Sequence, residues 1–431
     1  MMFLLYNLIF PFLFLLYLPF YLVHIFRRGG LTVDYWERIG IFTEEKKKRL
    51  RALENPVWIH AVSVGETVAA VSLVKTILAR NPNEKIVFSC GTSTGFATAK
   101  AKMPEGVVPI YCPIDLWWAV IHVLNLVRPK ALAIFEVEIW PNLIRFAAKK
   151  GVKTYLVNGR ISDHSSSGYA RWKWFFKPIF TAFTDICVQT PEDATRIARI
   201  IGDDPRIHVC GTMKFDQIPD CRAADKADVL NACFGNGAGR VILTGGSTHP
   251  GEEKLLVDAY KAARLRYPQL RLVLVPRHQE RANDVVTLLS QEGLTWRLAK
   301  DENGATAQNA STADVFLVNT TGELMNYYGM SDICYVGKSL AGQTGGHNII
   351  EPAIFGKAIL YGHHMENFRA VAAIFQAEKS AVEVESDDAL LPALENLLEH
   401  PEERMALGQR ARQTVEKHRG AIDRTLNIMK L

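Results

Sequence analysis

The sequence predicts an α/β protein with two doubly wound, Rossmann-like domains that face a cleft, preceded by a hydrophobic segment. From Val57 onward, short apolar runs alternate with helical patterns; the rhythm breaks between 216 and 239 and then restarts. Such alternation favours a parallel sheet with helices on both faces. A chain of 431 residues is long enough for two substantial cores. Ligands of such sheets bind outside the carboxyl ends of the strands.

The first 26 residues are uncharged and dominated by Leu, Phe, Tyr and Ile. About 20 apolar residues suffice to span a bilayer, and Arg27 and Arg28 favour a cytoplasmic location for the rest of the chain. The features of a cleaved signal peptide are missing. We therefore expect 1–26 to be a single membrane anchor. Pro11 and Pro19 leave a shallow interfacial insertion open, and a buried helix of a soluble protein is the alternative.

Eleven apolar runs read as strands of the two sheets. They are 58–62, 85–90, 131–135, 154–157, 186–188 and 207–209, then 241–244, 272–275, 315–318, 333–336 and 358–360. The domains are placed at 27–218 and 240–410. A linker is expected at 219–239, and a C-terminal helix at 411–431 could pack back on the first domain.

Charge and cysteine content narrow the function classes. A net charge of +5 is too weak to argue for nucleic acid, and we expect no nucleic-acid partner. It suits an anionic membrane surface or a phosphorylated substrate. The seven cysteines are scattered without a CxxC pair, which indicates reduced, mostly buried thiols.

Acids and cations follow several strands of the first domain. Glu66 could act as a general base; the alternative is a first-turn glutamate that complements the helix dipole. Glu136 and Glu138 end a buried strand, where alternation places them on one face, and salt-bridged or capping acids are the alternative. Arg160 and Lys214 could hold phosphates or be surface cations.

In the second domain, the most informative stretch is 343–352. Gly345 and Gly346 allow close approach of a ligand, and Asn348 and Glu351 have the spacing of a capping box. A helix start there favours phosphate, and Glu351 could bind a ribose diol; a plain capped helix is the alternative. The run 244–253 predicts a strand, a Gly-rich turn and a helix that could also cradle a phosphate. Five loop histidines lack metal-site spacing and are expected to form hydrogen bonds.

The ordered series of motifs resembles one family, the 3-deoxy-D-manno-octulosonic acid (Kdo) transferases of lipid A. The resemblance is carried by Trp36–Gly40, His60–Thr67, Gly91–Gly95, Glu136–Leu143, Asn158–Ser162, Gly211–Asp216, Val275–His278, Gly322–Met325, Gly345–Glu351 and Asn367–Phe368. It departs from the usual family pattern at Val137, where a threonine is common, and over 338–344.

The resemblance implies a B-type glycosyltransferase fold and inverting transfer of Kdo from CMP-Kdo to a lipid A precursor of the lipid IVA type. The reaction belongs to lipopolysaccharide core biosynthesis at the cytoplasmic face of the inner membrane, and no metal or other cofactor is expected. Glu66 would be the base, and Glu136 and Lys214 would stabilise the transition state. The implied CMP contacts are Pro276, Arg277, Gly322, Glu323, Leu324, Asn348, Ile349, Ile350 and Glu351. A nucleotide-sugar epimerase of the same shape and a non-catalytic nucleotide-binding membrane protein are the competing hypotheses.

Overall fold

The computed structural model describes residues 2–27, 33–217, 226–235, 239–300 and 313–431. The chain forms two compact units, of which the first comprises Met1–Gln217 with Arg419–Leu431 and the second Ile218–His418. The described residues exclude Arg28 and the stretches 219–225, with Cys221, and 236–238 of the predicted linker. The six described cysteines are buried free thiols.

In the described residues up to Gln217, the first unit contains seven strands and nine α-helices. The strands are β1 (Val57–Ala61), β2 (Ile86–Cys90), β3 (Val108–Tyr111), β4 (Ala131–Phe135), β5 (Lys153–Gly159), β6 (Asp185–Val188) and β7 (Ile207–Val209). The helices are α1 (Met2–Arg27), α2 (Glu44–Arg51), α3 (Val64–Arg80), α4 (Ser93–Lys102), α5 (Trp117–Val127), α6 (Pro141–Lys149), α7 (Asp163–Arg171), α8 (Lys173–Phe180) and α9 (Pro191–Ile201). Two 3-10 helices cover Val33–Ile39 and Met213–Asp216.

These strands form one parallel sheet in the order β3-β2-β1-β4-β5-β6-β7. Both faces are buried, because successive side chains along a strand point to opposite faces. Trp58 and Leu132 pack in one core cluster, whereas Ile59 and Ala133 pack in the other. The chain reverses direction across the sheet between β1 and β4, and the carboxyl ends of those two strands are where a doubly wound sheet binds its ligand.

The second unit repeats this plan. Its strands are β8 (Val241–Thr248), β9 (Leu270–Pro276), β10 (Trp296–Leu298), β11 (Val315–Leu317), β12 (Ile333–Val336), β13 (Ala358–Gly362) and β14 (Val382–Val384), in the parallel order β10-β11-β9-β8-β12-β13-β14. Its helices are α10 (Ala227–Phe234), α11 (Glu252–Arg264), α12 (Ala282–Gln291), α13 (Leu324–Met330), α14 (Ile350–Ala353), α15 (Arg369–Ala377), α16 (Leu390–Glu399) and α17 (Pro401–His418), with 3-10 helices at Gln279–Arg281, Glu366–Phe368 and Asp387–Ala389. Two doubly wound sheets confirm the predicted α/β class; the B-type architecture stays a prediction.

Both ends of the second unit differ from the predicted boundaries. Within the predicted linker, α10 buries Leu230, Cys233 and Phe234 in the core of the second unit. At the other end α17 continues to His418, so the segment that returns to the first unit begins at Arg419 rather than at 411. Its helix, α18 (Ala421–Met429), is held by Asp216, whose two carboxylate oxygens accept hydrogen bonds from the amides of Gly420 and Ile422 at 2.7 Å each.

The N-terminal helix α1 runs through both of its prolines without interruption. One of its faces packs on the first unit, where Phe3 stacks on Phe175 with a centroid distance of 5.9 Å. The opposite face leaves large apolar side chains exposed; Phe12, Leu16 and Phe20 are each about two-thirds exposed or more, at 68%, 74% and 72%. Over the described residues, the structure contains no helix with the length and apolar character that crossing a membrane requires.

Candidate active site

Glu66 lies in the first turn of α3, directly after β1 at the switch point of the first sheet. It forms a capping box with Ser63: the Ser63 hydroxyl accepts from the Glu66 amide and donates to Oε1 at 2.7 Å. Oε2 accepts a hydrogen bond from the Val62 amide at 2.8 Å. The carboxylate is therefore held in one orientation and stays partly exposed. Its capping role is real, and it is compatible with a second, chemical role.

Glu136 and Glu138 lie in the turn after β4, the neighbour of β1. The strand ends at Phe135, and Glu136 adopts a left-handed conformation with φ 51°, which is uncommon for a residue with a Cβ. Val137 and Ile139 pack against the core below. Because the strand has ended before the two acids, the predicted alternation does not apply to them, and their shared face stays a prediction.

The electrostatics of these acids show that they lie near Glu66. Burial, together with the charges of Glu66 and Glu136, raises the pKa of Glu138 to about 7. Burial and Glu66 also raise the pKa of Glu136, while Lys214 and Arg160 oppose the rise. Burial lowers the pKa of Lys214 to about 8, against the attraction of Glu136. The structure thus brings five sequence-predicted residues into one cluster of three acids and two cations.

Lys214 is positioned by buried polar contacts whose role the sequence did not reveal. It lies in the 3-10 helix after β7, where the Thr212 hydroxyl accepts from its amide at 3.4 Å. Asn158 is buried, and its backbone is left-handed with φ 52°. Its side-chain oxygen accepts a hydrogen bond from the Met213 amide at 3.1 Å. A buried asparagine at the end of β5 therefore fixes the loop that carries the lysine.

The Glu138→Gln substitution is expected to stabilise the protein at alkaline pH. With a folded pKa near 7 against an ordinary value of 4.5, the folded state holds the extra proton between those two values. Stability then falls as pH rises through that window and stays lower above it. Glutamine removes this loss, so the variant should melt about 5 °C higher than the parent at pH 8 and equally at pH 4.5. Exposed Glu105→Gln is the control, and an equal shift at both pH values would contradict the assignment.

In the second unit, the predicted Gly-rich turn after Thr244 is wrong. Gly245 and Gly246 lie inside β8, which continues to Thr248. A Cβ at Gly245 would come within 2.5 Å of Leu256, and one at Gly246 would collide with the Tyr328 hydroxyl. These glycines therefore serve the close packing of helices on the strand and are no phosphate cradle.

Glu252 organises the carboxyl end of the second sheet, a role that the sequence did not indicate. It is fully buried in the first turn of α11. Its carboxylate accepts hydrogen bonds from the Tyr335 hydroxyl at 2.7 Å and from four backbone amides, those of His249, Lys338, Ser339 and Leu340 at 2.9, 2.7, 3.0 and 3.3 Å. One side chain thus fixes the loops after β8 and β12, which are neighbours at the switch point of this sheet.

The capping box predicted at Asn348 is also wrong. The structure has Ile349 at the N-cap of α14, which is only four residues long. The side-chain Oδ1 of Asn348 instead accepts from the Ile350 amide at 3.2 Å, and its side-chain Nδ2 donates to the Glu351 carboxylate at 3.4 Å. Burial raises the pKa of Glu351 to about 6, opposed by Asn348 and by the charge of Arg277. The segment therefore offers an oriented carboxylate next to a cation.

The two glycines before this segment are required by their surroundings. Gly345 and Gly346 have φ 109° and 66°. A Cβ at Gly345 would lie 2.6 Å from the Asn367 side chain, and one at Gly346 would collide with Met365. At these two positions the glycines therefore allow close contact with other residues of the protein, Asn367 and Met365, whereas the sequence predicted close contact with a ligand.

Two of the loop histidines meet, although 98 residues separate them. The Nε2 atoms of His249 and His347 are 3.0 Å apart, and the rings stack. Burial, together with the charges of His249, Arg277 and Lys338, lowers the pKa of His347 to about 4. A neutral, stacked pair beside two permanent cations suits an anionic ligand.

The remaining predicted donor contacts lie at strand ends and helix starts of this unit. Pro276 ends β9, and the Arg277 amide donates to the Thr248 carbonyl at 3.0 Å. Gly322 is left-handed with φ 86°, Leu324 begins α13, and Glu323 precedes it. Lys226 binds the Glu323 carboxylate at 2.7 Å and, with Thr320, lowers its pKa. Ile349 and Ile350 are buried.

Comparison with known proteins identifies the family. A family model described as 3-deoxy-D-manno-octulosonic-acid transferase (kdotransferase) matches residues 34–217. The 3-deoxy-D-manno-octulosonic acid transferase of Haemophilus influenzae is 33% identical over 375 residues, which cover 87% of this chain and 86% of the relative. That of Bordetella pertussis is 29% identical over 426 residues, covering 95% and 96%.

Among solved structures, UDP-GlcNAc 2-epimerase from Neisseria meningitidis matches with a TM-score of 0.57 and 14% identity, over 87% of this chain and 99% of the epimerase. At that identity the likeness shows the fold alone. The epimerase hypothesis therefore gains no support from it, whereas the relatives above confirm the resemblance stated from the motifs. The chain belongs to the 3-deoxy-D-manno-octulosonic acid transferase family and is a glycosyltransferase.

Proposed function

We propose that this protein transfers Kdo from CMP-Kdo to a lipid A precursor of the lipid IVA type in lipopolysaccharide core biosynthesis. The observation that supports this proposal most strongly is a cluster of charged residues at the switch point of the first sheet, in a chain that belongs to this family. The cluster consists of Glu66, Glu136, Glu138, Lys214 and Arg160. Opposing charges gathered at one buried edge are costly unless they serve a purpose.

The reaction is a single inverting displacement. The acceptor hydroxyl attacks the anomeric carbon of Kdo, Glu66 accepts the hydroxyl proton, and CMP departs with the electrons of the broken bond. The transition state resembles an oxocarbenium ion. Glu136 and Lys214, whose charges compensate one another, stabilise it electrostatically. No group outside the chain and its two substrates is needed for this balance.

The donor is assigned to the second unit. Arg277 and the neutral His249–His347 pair provide a site for the CMP phosphate, since an arginine beside uncharged donors stabilises an anion strongly. Glu351, oriented by Asn348, accepts hydrogen bonds from the ribose hydroxyls. Gly322, Glu323, Leu324, Pro276, Ile349 and Ile350 complete the nucleotide contacts that the family resemblance implies.

The acceptor is met at a membrane surface, the cytoplasmic face of the inner membrane. Leu5, Ile9 and Leu13 of α1 line, together with Trp174 of α8, an apolar cavity of about 190 Å³. Trp117, Trp118 and Trp172 are also about half exposed, at 46%, 43% and 52%. Tryptophans and amphipathic faces of this kind favour the membrane interface, so α1 is proposed to anchor the chain with the acyl chains of the acceptor left in the bilayer.

The proposal is tested by incubating the full chain with CMP-Kdo and a lipid A precursor and measuring the mass of the lipid product by mass spectrometry. The expected result is release of CMP that depends on the acceptor, with product masses raised by whole Kdo residues. The mass series also counts how many sugars are added. CMP release that never depends on the acceptor, or none at all, would refute the proposed function.

A further inference from the structure

Helix α6 begins without a capping side chain of its own. Its N-cap is Trp140, which makes no such hydrogen bond, and its first residue is a proline. The cap comes from Asp115, a fully buried residue before α5, whose Oδ2 accepts from the Asn142 amide at 2.9 Å and Oδ1 from the Leu143 amide at 3.0 Å. A carboxylate here satisfies two donors and complements the helix dipole.

The N-terminal helix reaches the same point. The Tyr6 hydroxyl donates to Asp115 Oδ2 at 2.8 Å, and the Asn142 side-chain amide donates to the side-chain Oδ1 of Asn7 at 2.6 Å. Tyr6 also stacks on Phe10 and contacts the ring of Phe175. The packed face of α1 therefore makes specific polar contacts with Asn142 of α6 and with its capping residue Asp115, whereas the exposed side chains described between Leu4 and Phe20 are apolar.

The start of α6 is one end of the short turn that carries the acids. Residues 136–140 join β4 to α6. At the β4 end, the Glu136 amide donates to the Val157 carbonyl at 2.9 Å. At the α6 end, the position of the turn depends on Asp115, which Tyr6 of α1 contacts, and on Asn142, which contacts Asn7 of α1. The side chains of Glu136 and Glu138 lie between these two points of attachment.

We propose that α1 is a positioning element of the active site as well as an anchor: Tyr6 and Asn7, acting through Asp115 and Asn142, hold the turn that carries Glu136 and Glu138. This inference rests on the proposed function, because it assigns the turn to the transfer reaction. Tyr6, Asn7 and Asp115 touch no substrate in this scheme and are positioning residues. The turnover rate then depends on the packing of α1 against the rest of its own unit. This dependence is separate from any contact between the exposed face of α1 and lipid.

The test is Tyr6→Phe, which removes one hydroxyl and retains the ring contacts. With a detergent-solubilised acceptor, kcat is expected to fall about tenfold, the cost of losing one hydrogen bond to a carboxylate, while KM for CMP-Kdo stays unchanged. Amide hydrogen exchange should rise in the peptide 136–145 and nowhere else in the first unit. Asn7→Ala should shift both readouts in the same direction. Tyr155→Phe, which removes a buried hydroxyl bonded to Met429, is the matched control and should change neither.

Tyr6→Phe with the parent kcat and parent exchange would overturn the inference. So would a lower kcat accompanied by faster exchange throughout the first unit, because that result indicates general loosening. If the parent protein itself released no CMP in the presence of acceptor, that result would contradict the proposed function instead. Failure of the inference and failure of the proposed function are therefore distinguishable.

Discussion

Glu66→Gln is expected to abolish Kdo transfer while leaving CMP binding intact. Glutamine keeps the size of the side chain and can still accept from the Val62 amide, but it cannot take a proton from the acceptor hydroxyl. General-base catalysis is worth about 10²–10⁴-fold in rate, so kcat should fall by at least the lower figure. The nucleotide contacts lie in the second unit and are untouched by the change.

The measurement pairs acceptor-dependent CMP release with calorimetric titration of CMP. Glu66→Ala should be equally inactive and somewhat less stable, because it also removes the capping box. Glu192→Gln, at an exposed first-turn glutamate of α9 in the same unit, is the control and should retain full turnover. Retained turnover in Glu66→Gln would remove Glu66 as the base.

The second large effect is expected from Glu252→Ala, which should lower both the free energy of unfolding and the affinity for CMP. The substitution leaves four backbone amides and the Tyr335 hydroxyl without their acceptor in the core of the second unit. Each buried donor left unpaired costs about 1–3 kcal/mol, so a loss of about 3–5 kcal/mol is expected after partial rearrangement. The loop at Lys338, which lies near His347, should then no longer hold its place, and CMP affinity should fall as well.

Denaturant unfolding and CMP titration check this prediction. Glu402→Ala, at an exposed first-turn glutamate of α17 in the same unit, provides the matched control; exposed substitutions usually change stability by less than about 0.5 kcal/mol. An equally small change for Glu252→Ala would show that the loops after β8 and β12 are held by other contacts.

The central strands could be predicted from the sequence because they are buried on both faces and read as continuous apolar runs. The three strands that were missed, β3, β10 and β14, all lie at sheet edges. Pro109 lies within β3, where a residue that cannot donate is tolerated only because a neighbour is missing on one side. The other two are three residues long and each has a charged residue at its centre, Arg297 or Glu383, so neither is a continuous apolar run.

The first-unit site could be predicted further than the second-unit site. Glu66, Glu136 and Lys214 each follow a strand, and parallel strands bring their carboxyl ends to one edge. The role of Glu252 could not be predicted, because three of its partners are backbone amides 86 to 88 residues away, which have no sequence signature. The glycines of β8 misled the prediction for a related reason: their neighbours are side chains of distant helices. The contact of Tyr6 with Asp115 likewise spans 109 residues.

A single displacement with Glu66 as base is tested most directly by the anomeric configuration of the transferred Kdo. Nuclear magnetic resonance of the lipid product, compared with CMP-Kdo, reads that configuration. The predicted result is inversion, since the acceptor oxygen attacks the face opposite the departing CMP. Retention would contradict it, because two successive displacements would then be required, with a carboxylate acting as nucleophile.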